Sequence, residues 1–445
     1  MRLLLLSVWV GVLSPFAGAQ LRDPFLDPRY VDSEQVFSSA QLARIDITMS
    51  EADYRELLDE PEEREDQPAT MRFRNALLDE TLTGVGVRFR GNSSIDLYKH
   101  SWNIDFNHFV EGQRFHGLRQ FNLNSHHNDP SIFRGHLMLE FCRRQRIPAP
   151  RSHLCDLYLH TTGPGGRTRF LGTFVNAEQI DGTFLRAWYT DNDGPLYKCE
   201  APADFRIRGN GSASAYEDSQ YELADDDLGF GYAPLAAFIE LLNTIPDSEF
   251  AERFPEFFDV PAYLRVLAVE TLFGHYDNHW HNRNNCYLYV IPASGRPGSG
   301  KVQFITYDHD NTMGVCFDDG FNPATIDFRN FGPRSRSTRP LPARVLAVPA
   351  WEAEYLRTLD EWIRGPFTPA VLEDEITRYR DMIGPSIQQD ISDRNYYGDQ
   401  WGYTYDTFLR SIDNDGAVRG HVRQGLRQYV RLRSGYTMPE GLILF

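Results

Sequence analysis

The spacing of apolar residues changes once along this chain, and that change constrains the fold more than any other feature. Apolar and polar residues alternate at 71–78, 85–90 and 102–106, which is typical of strands that bury one face. After about residue 181 the apolar residues recur at helical spacing, as at 261–273 and 371–383. We therefore predict an α+β fold in which a small β-rich part precedes a larger helical part.

The first 19 residues have the composition of a secretory signal peptide. Met1-Arg2 is a short positive start, residues 3–13 form an apolar run, and Ala17-Gly18-Ala19 is a small-residue end. We predict cleavage after Ala19 and a secreted or cell-envelope protein. The apolar run is too short to cross a bilayer comfortably, so we expect no stable membrane span after cleavage.

The charge and the cysteines exclude several classes of protein. The chain carries 62 acidic against 45 basic residues, which argues against a nucleic-acid binder and favours basic partners. Its five cysteines include no C-x-x-C pair, so we expect no zinc site. Buried thiols are the default expectation, with one or two disulfides left open. The sequence predicts no oligomeric state.

Two segments near the middle of the chain concentrate oxygen-bearing side chains. They span 276–289 and 304–314 and supply six such residues: Asp277, Asn282, Asn284, Asn285, Asp308 and Asp310. Hard cations such as Mg²⁺ prefer oxygen ligands. Phosphoryl transfer requires one carboxylate beside the nucleophile and another on the metal. The pair of segments predicts both.

A loop rich in small residues follows the strand predicted at 85–90. Gly91 permits close approach of a ligand to the backbone, and the N–H groups of residues 92–94 are candidates to hold phosphate oxygens. Lys99 follows this loop and opens the next predicted strand. Its ammonium is a candidate to reach the α- and β-phosphates of a nucleotide. A hairpin turn and a solvated lysine are the simpler alternatives.

Six motifs in this order resemble the spore-coat protein H (CotH) kinase family. They are RGNSS at 90–94, K-x-S-W-x-I-x-F at 99–106, GTFVNAEQIDGTFL at 172–185, LYK at 196–198, D-x₆-NN-x-YLY at 277–289 and YDHDNTMG at 307–314. The resemblance implies a two-lobed protein-kinase-like fold with a small β-rich N-lobe and a larger helical C-lobe. It also implies secretory phosphorylation of Ser or Thr hydroxyls with ATP and Mg²⁺ or Mn²⁺.

The resemblance also implies roles for individual residues. The implied nucleotide-side residues are Arg90, Gly91, Asn92, Ser93, Ser94, Lys99, Glu178 and Lys198. Asp277 falls on the catalytic aspartate, with Lys99 as its catalytic partner, and Asp308 and Asp310 fall on the metal-binding D-x-D pair. Asn282 and Asn285 are equal candidates for a further metal ligand, with Asn284 competing, and the sequence does not choose among them.

The predicted division of the chain follows from these assignments. It comprises a signal peptide at 1–19, an N-terminal arm at 20–45, a β-rich N-lobe with the phosphate loop at 46–180, a C-lobe with the catalytic and metal loops at 181–345, and a helical extension of the C-lobe at 346–445. The expected partner is a protein substrate, Ser-rich and basic, with no nucleic acid.

Departures from the family pattern leave alternatives open. His100, Tyr307, His309 and Met313 stand where the family usually has other residues. Glu140 is a weak candidate for the helix glutamate that pairs with a kinase lysine. An inactive scaffold or surface interaction protein is one alternative function. A kinase acting on a glycan or a small-molecule hydroxyl is another.

Overall fold

The computed structural model describes residues 21–91, 95, 99–126, 128–292, 300–392, 402–418 and 420–436. The predicted signal peptide and Asn92, Ser93 and Ser94 lie outside these residues. The strands are β1 Ala43–Ser50, β2 Gln67–Arg74, β3 Asp79–Arg90, β4 Ser101–Asp105, β5 Gln120–Asn124, β6 Ser152–Thr162, β7 Thr168–Ala177, β8 Leu196–Cys199, β9 Tyr221–Asp225, β10 Cys286–Pro292 and β11 Gly300–Thr306. The α-helices are α1 Pro28–Glu34, α2 Glu51–Asp59, α3 Arg134–Arg144, α4 Gly182–Trp188, α5 Ala233–Thr244, α6 Asp247–Arg253, α7 Val260–Phe273, α8 Pro340–Val345, α9 Pro349–Arg364, α10 Pro369–Ser392, α11 Tyr405–Asp413 and α12 Leu426–Ser434.

The first seven strands form a closed barrel in the order β1-β2-β3-β4-β5-β7-β6. Neighbouring strands are antiparallel except β1 and β6, which pair in parallel from Ala43↔Cys155 to Ser50↔Thr162 and close the barrel. Alternate residues such as Ile45, Val87 and Ile104 are fully buried inside it. The period-2 pattern therefore fills the interior with apolar side chains and leaves polar ones on the outer face.

The second sheet has four strands in the order β11-β10-β8-β9. It shares a hydrophobic core with the helices of the second half of the chain, including α7, whose Leu267 and Leu272 are fully buried. The side chains inside the barrel form a separate core. The barrel and the second sheet therefore pack against two separate hydrophobic cores.

The predicted two-lobed protein-kinase-like fold is wrong. The strands predicted at 46–180 form a closed barrel rather than an open sheet, and β8 to β11 form a second sheet where a helical lobe was expected. Alternation shows which face of a strand is buried, but it does not identify the strand's partner. The closing β1–β6 pair joins segments more than a hundred residues apart, which no local pattern predicts. The predicted domain boundaries stay a prediction.

All five cysteines are buried and free, so the disulfides left open by the sequence are not formed. Cys199 and Cys286 lie opposite each other on β8 and β10. None of the helices in the described ranges combines the length and hydrophobicity that a bilayer crossing requires.

Candidate active site

A polar cavity of about 580 Å³ lies between the outer face of the barrel and the second sheet. The barrel contributes outward-facing residues of β3, β4 and β5. The opposite side is formed by β8, β9 and the loops that precede β10 and follow β11. The lining includes Arg90, Gly91, Asn103, Asn122, Asn124, Gln179, Lys198, Glu222, Ala224, Asp277, Asn284, Asn285, Tyr307, Asp308, Asp310 and Asn311.

The barrel wall of the cavity is built from amides and a guanidinium. Asn103 on β4 lies opposite Asn122 on β5 in the strand register, and its Nδ2 donates to Asn122 Oδ1 at 3.1 Å. Asn122 Nδ2 in turn donates to Gln179 Oε1 at 2.8 Å. This row of three amides offers hydrogen-bond donors and acceptors in fixed positions along one wall of the cavity.

Arg90 at the end of β3 connects the two walls. Its Nη1 donates to Asn124 Oδ1 at 2.8 Å, and its Nη2 donates to the Tyr307 hydroxyl at 3.0 Å. The pKa of Arg90 is raised because the nearby Tyr307 and Asp308 outweigh the effect of burial, which alone would lower it. A cation is thus held beside Asp308.

Asp277 lies in the loop after α7 and is held by surrounding amides. Asn282 Nδ2 donates to its Oδ1 at 2.7 Å, and Asn285 Nδ2 donates to its backbone oxygen at 2.8 Å and to its Oδ2 at 3.3 Å. Asn311 Nδ2 reaches Oδ2 at 3.4 Å. Burial raises the pKa of Asp277, and the amide hydrogen bonds oppose that rise. Its orientation is therefore fixed from several sides.

Asp308 and Asp310 lie in the turn after β11 and line the same cavity. The Asp308 side chain is exposed to the cavity. The enclosing walls nevertheless withdraw it from bulk water, and this desolvation is the main cause that raises its pKa to about 6, with repulsion by Asp277 the second. Burial and repulsion by Asp308 and Asp277 raise the pKa of Asp310 well above its usual value. Three carboxylates thus oppose one another's ionisation, and a cation placed among them would relieve this.

The carboxylate and amide oxygens of the cavity suit a hard cation that takes its remaining ligands from a substrate and from water. Within the described residues, no three His, Cys, Asp or Glu side chains are gathered closely enough to hold an ion alone. Mg²⁺ is usually bound by one or two carboxylates together with substrate phosphates and water. Asp308 and Asp310, with an amide oxygen nearby, fit that pattern. Asn284 and Asn285 both line the cavity and Asn282 does not, so the geometry favours these two over Asn282 as the third ligand and does not choose between them.

A buried glutamate lies beneath both acidic loops. Glu270 on α7 accepts from Asn278 Nδ2 at 2.7 Å through Oε2 and from the Thr306 hydroxyl at 2.8 Å through Oε1. Complete burial raises the pKa of Glu270 to about 8, although both hydrogen bonds lower it. Because Asn278 follows Asp277 and Thr306 lies two residues before Asp308, Glu270 joins the two loops.

Lys99 is not brought to this cavity. Its Nζ donates to the Thr173 backbone oxygen at 2.7 Å and lies 3.9 Å from Asp390 Oδ2 on α10. Burial lowers the pKa of Lys99, and Asp390 opposes that effect. The candidate Glu140 lies 3.9 Å from Arg143, so the ion pair expected of a kinase lysine is made instead with Asp390. A nucleotide contact for Lys99 stays a prediction without geometric support.

Glu178 also lies away from the cavity lining. It is buried and accepts from Arg151 Nε at 3.0 Å, while Arg151 Nη1 donates to the Tyr30 backbone oxygen at 3.1 Å. This geometry ties the end of β7 to α1. Its predicted nucleotide role likewise stays without geometric support.

Gly91 and Lys198 do line the cavity. Gly91 has a φ of 119°, a value that favours glycine, and its carbonyl accepts from Arg64 Nη2 at 2.7 Å. Lys198 Nζ lies 2.5 Å from Glu200 Oε1 and 3.8 Å from Glu222 Oε2. The pKa of Lys198 is raised because these carboxylates and Tyr307 outweigh burial.

The residues that depart from the family pattern occupy defined places. His100 stacks on Phe89 at 4.0 Å between ring centroids. His309 is buried with its Nε2 2.9 Å from the Thr306 hydroxyl, and burial holds its pKa well below the usual value. Met313 is fully buried. His100, His309 and Met313 are not among the residues that line the cavity, whereas Tyr307 lines it and accepts a hydrogen bond from Arg90.

Sequence reasoning missed the amide row and Asn311. A signal for the row was present, because polar residues recur at every second position of the strands that carry Asn103 and Asn122. Asn311 directly follows Asp310 and carried no separate signal.

Comparison with known proteins assigns this barrel with a carboxylate-bearing cavity to a family. A family model described as CotH kinase protein matches residues 87–437. The chain is 24% identical over 349 residues to Inner spore coat protein H of Bacillus subtilis, covering 77% of this chain and 87% of that protein. The chain belongs to the CotH kinase protein family, as its motifs predicted.

Fungal relatives are also similar. Invasin CotH2 of Rhizopus delemar is 24% identical over 335 residues, which cover 71% of this chain and 53% of that protein. Invasin CotH3 of the same organism is 22% identical over 355 residues, which cover 77% and 57%. The chain therefore matches about half the length of these Rhizopus relatives.

Proposed function

We propose that this chain is a phosphotransferase that uses ATP and Mg²⁺ or Mn²⁺ to phosphorylate Ser or Thr hydroxyls of a protein. One observation carries the proposal. Asp277, Asp308 and Asp310 line one cavity together with cationic residues that include Arg90 and Lys198. Membership in a family described as kinases supports the same conclusion.

The carboxylates have separable tasks in this proposal. Asp277 is held by amides, and its raised pKa makes it a stronger base, so it accepts the proton of the acceptor hydroxyl and orients that group. Mg·ATP supplies the phosphoryl group, with Asp308 and Asp310 as holders of the ion. Arg90 and Lys198 are the candidate partners of phosphate oxygens.

In this proposal the amide row of Asn103, Asn122 and Gln179 binds the nucleoside part of the nucleotide. Along a strand, Asn122 lies two residues from Asn124, the partner of Arg90, which is a step of about 7 Å. Amides recognise adenine through paired donors and acceptors. The polar wall therefore suits a nucleoside attached to phosphates held at Arg90.

The surrounding observations support action outside the cytoplasm. The relatives carry the printed names spore coat protein and invasin, and the amino terminus has the composition of a signal peptide. Those same names favour a second candidate function, a coat or surface interaction protein without catalysis. The two proposals differ in whether the cavity binds Mg·ATP.

The deciding experiment is a transfer assay on the purified chain. We would measure phosphate incorporation from labelled Mg·ATP into a serine- and lysine-containing peptide and locate the site by mass spectrometry. We expect Asp277→Asn to reduce transfer about 10²-fold or more. The control is Asp406→Asn, an exposed carboxylate on α11, which should transfer at the wild-type rate. Equal rates in both variants would refute the role of Asp277, and absence of Mg·ATP binding would favour the non-catalytic function.

A further inference from the structure

Strand β9 lies at the edge of the second sheet, beside the candidate active-site cavity. The strand order leaves one side of β9 without a strand partner in the described part of the chain. Glu222 and Ala224 are exposed and line the cavity, whereas Tyr221 is buried. An exposed edge strand presents N–H and C=O groups with which another extended segment can pair.

The hydrogen-bonding direction along β9 follows from its register. Glu200 N donates to Gln220 O at 2.9 Å, and Lys198 pairs with Glu222 two residues further along. In an antiparallel ladder, hydrogen-bonded pairs alternate with pairs that are not bonded. The N–H and C=O of Leu223 therefore point away from β8, toward the open edge.

The open edge is strongly acidic. Residues 217–227 contain no Lys or Arg. They contain six acids: Glu217, Asp218, Glu222, Asp225, Asp226 and Asp227. Lys198 on the neighbouring strand is already shared between Glu200 and Glu222. Arg208 lies over the Tyr221 ring and Arg119 acts on Asp225, so the six acids outnumber these three cations. Charge complementarity at this edge favours a segment that carries Lys and Arg side chains.

We propose that an extended basic segment of the acceptor protein pairs with β9 as a fifth strand of this sheet. This inference rests on the proposed phosphotransferase function. Backbone hydrogen bonds to Leu223 give the segment its register. The acidic residues around β9 select its charge.

The sheet geometry also sets the distance from this segment to the site of transfer. Cys286 on β10 pairs with Cys199 on β8, which pairs with Tyr221 on β9. The added strand lies three strand spacings, about 14 Å, from β10. Asn285, which holds Asp277, directly precedes Cys286. About four extended residues cover this distance, so the accepting hydroxyl should lie about four residues from the docked segment.

The test uses three fluorescent 14-residue peptides that contain lysine and serine. One is unmethylated, and two copies carry N-methyl groups on alternate backbone nitrogens, in opposite alternation. N-methylation keeps the charge but blocks pairing on one edge. We expect the two copies that are methylated in opposite alternation to differ, with one binding about tenfold more weakly than the unmethylated peptide. Equal binding of all three peptides would overturn the proposal, because charge attraction without backbone pairing would then explain the binding.

Variants of the chain provide the matched comparison. We expect Leu223→Pro to weaken peptide binding about tenfold, because it removes the outward N–H while sparing the β8 ladder. We expect Glu217→Gln/Asp218→Asn to weaken it, and the control pair Glu62→Gln/Glu63→Gln, also exposed, to leave it unchanged. Equal losses in both pairs would contradict local docking.

Mg·ATP affinity, measured in the same variants, reports whether the fold and the cavity are intact. If the wild type binds the peptide through β9 but neither binds Mg·ATP nor transfers phosphate, the proposed function fails and the docking surface stands. If transfer occurs and the methylated peptides bind equally, the docking surface fails alone.

Discussion

Asn278 donates a 2.7 Å hydrogen bond to Glu270, a carboxyl that is completely buried under the cavity. The same carboxyl accepts from Thr306, two residues before Asp308. A single side chain thus links the loop of Asp277 to the turn of Asp308. His275 and His279 lie 4.0 and 3.7 Å from it, and burial lowers the pKa of both, that of His275 to about 3, so neither supplies a compensating positive charge at neutral pH.

We expect Glu270→Gln to stabilise the protein at neutral pH. The folded-state pKa of about 8 exceeds the value near 4.5 of an unfolded chain, so folding takes up a proton between these pH values and stability falls as pH rises through them. Glutamine imitates the protonated acid and removes this dependence. Urea unfolding from pH 5 to 8.5 measures how the free energy of unfolding depends on pH in the wild type and in Glu270→Gln. Glu270→Leu is the comparison variant, because it loses the hydrogen bonds from Asn278 and Thr306. An unchanged pH slope in Glu270→Gln would show that Glu270 folds in its ionised form.

We expect Asp308→Asn to raise the melting temperature of the metal-free protein by about 2–4 °C at pH 7.5. The pKa of Asp308 is raised to about 6. Its cost to folding is therefore absent below pH 4, grows as pH rises from 4 to 6, and is complete above 6. The difference from the wild type should vanish near pH 3.5 in differential scanning calorimetry. Millimolar Mg²⁺ should stabilise the wild type and not the variant.

The same titration predicts how cation affinity depends on pH. Because an ion competes with the proton on Asp308, Mn²⁺ affinity should fall about tenfold per pH unit below pH 6. Titration calorimetry of the purified chain between pH 5 and 7.5 measures this. Affinity that stays constant across that range would place the ion away from Asp308.

We expect Arg134→Met to destabilise the protein by about 3–5 kcal/mol. Arg134 on α3 is fully buried and pairs with Asp129, and its Nη2 donates to the Ser411 backbone oxygen at 2.7 Å. The substitution leaves the Asp129 carboxylate buried without its cation. Arg146→Met is the control, because Arg146 is 66% exposed in its pair with Asp23 and should change stability by less than about 1 kcal/mol. Adding Asp129→Leu to Arg134→Met should recover part of the loss.

We expect Gly172→Ala to destabilise the barrel more than Gly163→Ala. Both glycines have positive φ values, 102° and 83°, so both substitutions strain the backbone by about 1–2 kcal/mol. A Cβ on Gly172 would lie 2.4 Å from Asp390 Oδ2, whereas one on Gly163 meets open space. The difference between the two variants in chemical unfolding isolates the contact of β7 with α10. Equal losses would show that α10 yields to the added methyl group.

The parts of the structure that depend on local pattern could be predicted from the sequence. Strand β4 and helix α7 occur where alternating and helical spacing indicated them. Asp277, Asp308 and Asp310 line a common cavity, consistent with two acidic loops at neighbouring strand ends. These features follow from residues that are close in the sequence.

The parts that depend on distant pairing could not be predicted. Lys99 follows a phosphate-loop motif, yet its ammonium is directed to Thr173 and Asp390, residues that only the closed barrel and α10 bring near. Glu178 is engaged by Arg151 for the same reason. A motif records which residues occur, whereas the direction of a long side chain is decided by what packs beside it.

The closure of the barrel by β1 has a practical consequence for dividing this protein into fragments. The family match begins at residue 87, within β3, so a fragment cut at that boundary would lose β1, β2 and the first part of β3. The remaining strands β3 and β6 would then each expose an unpaired edge, which invites aggregation during expression. A fragment intended to retain the cavity should therefore begin before Ala43, well ahead of the first residue that the family model matches.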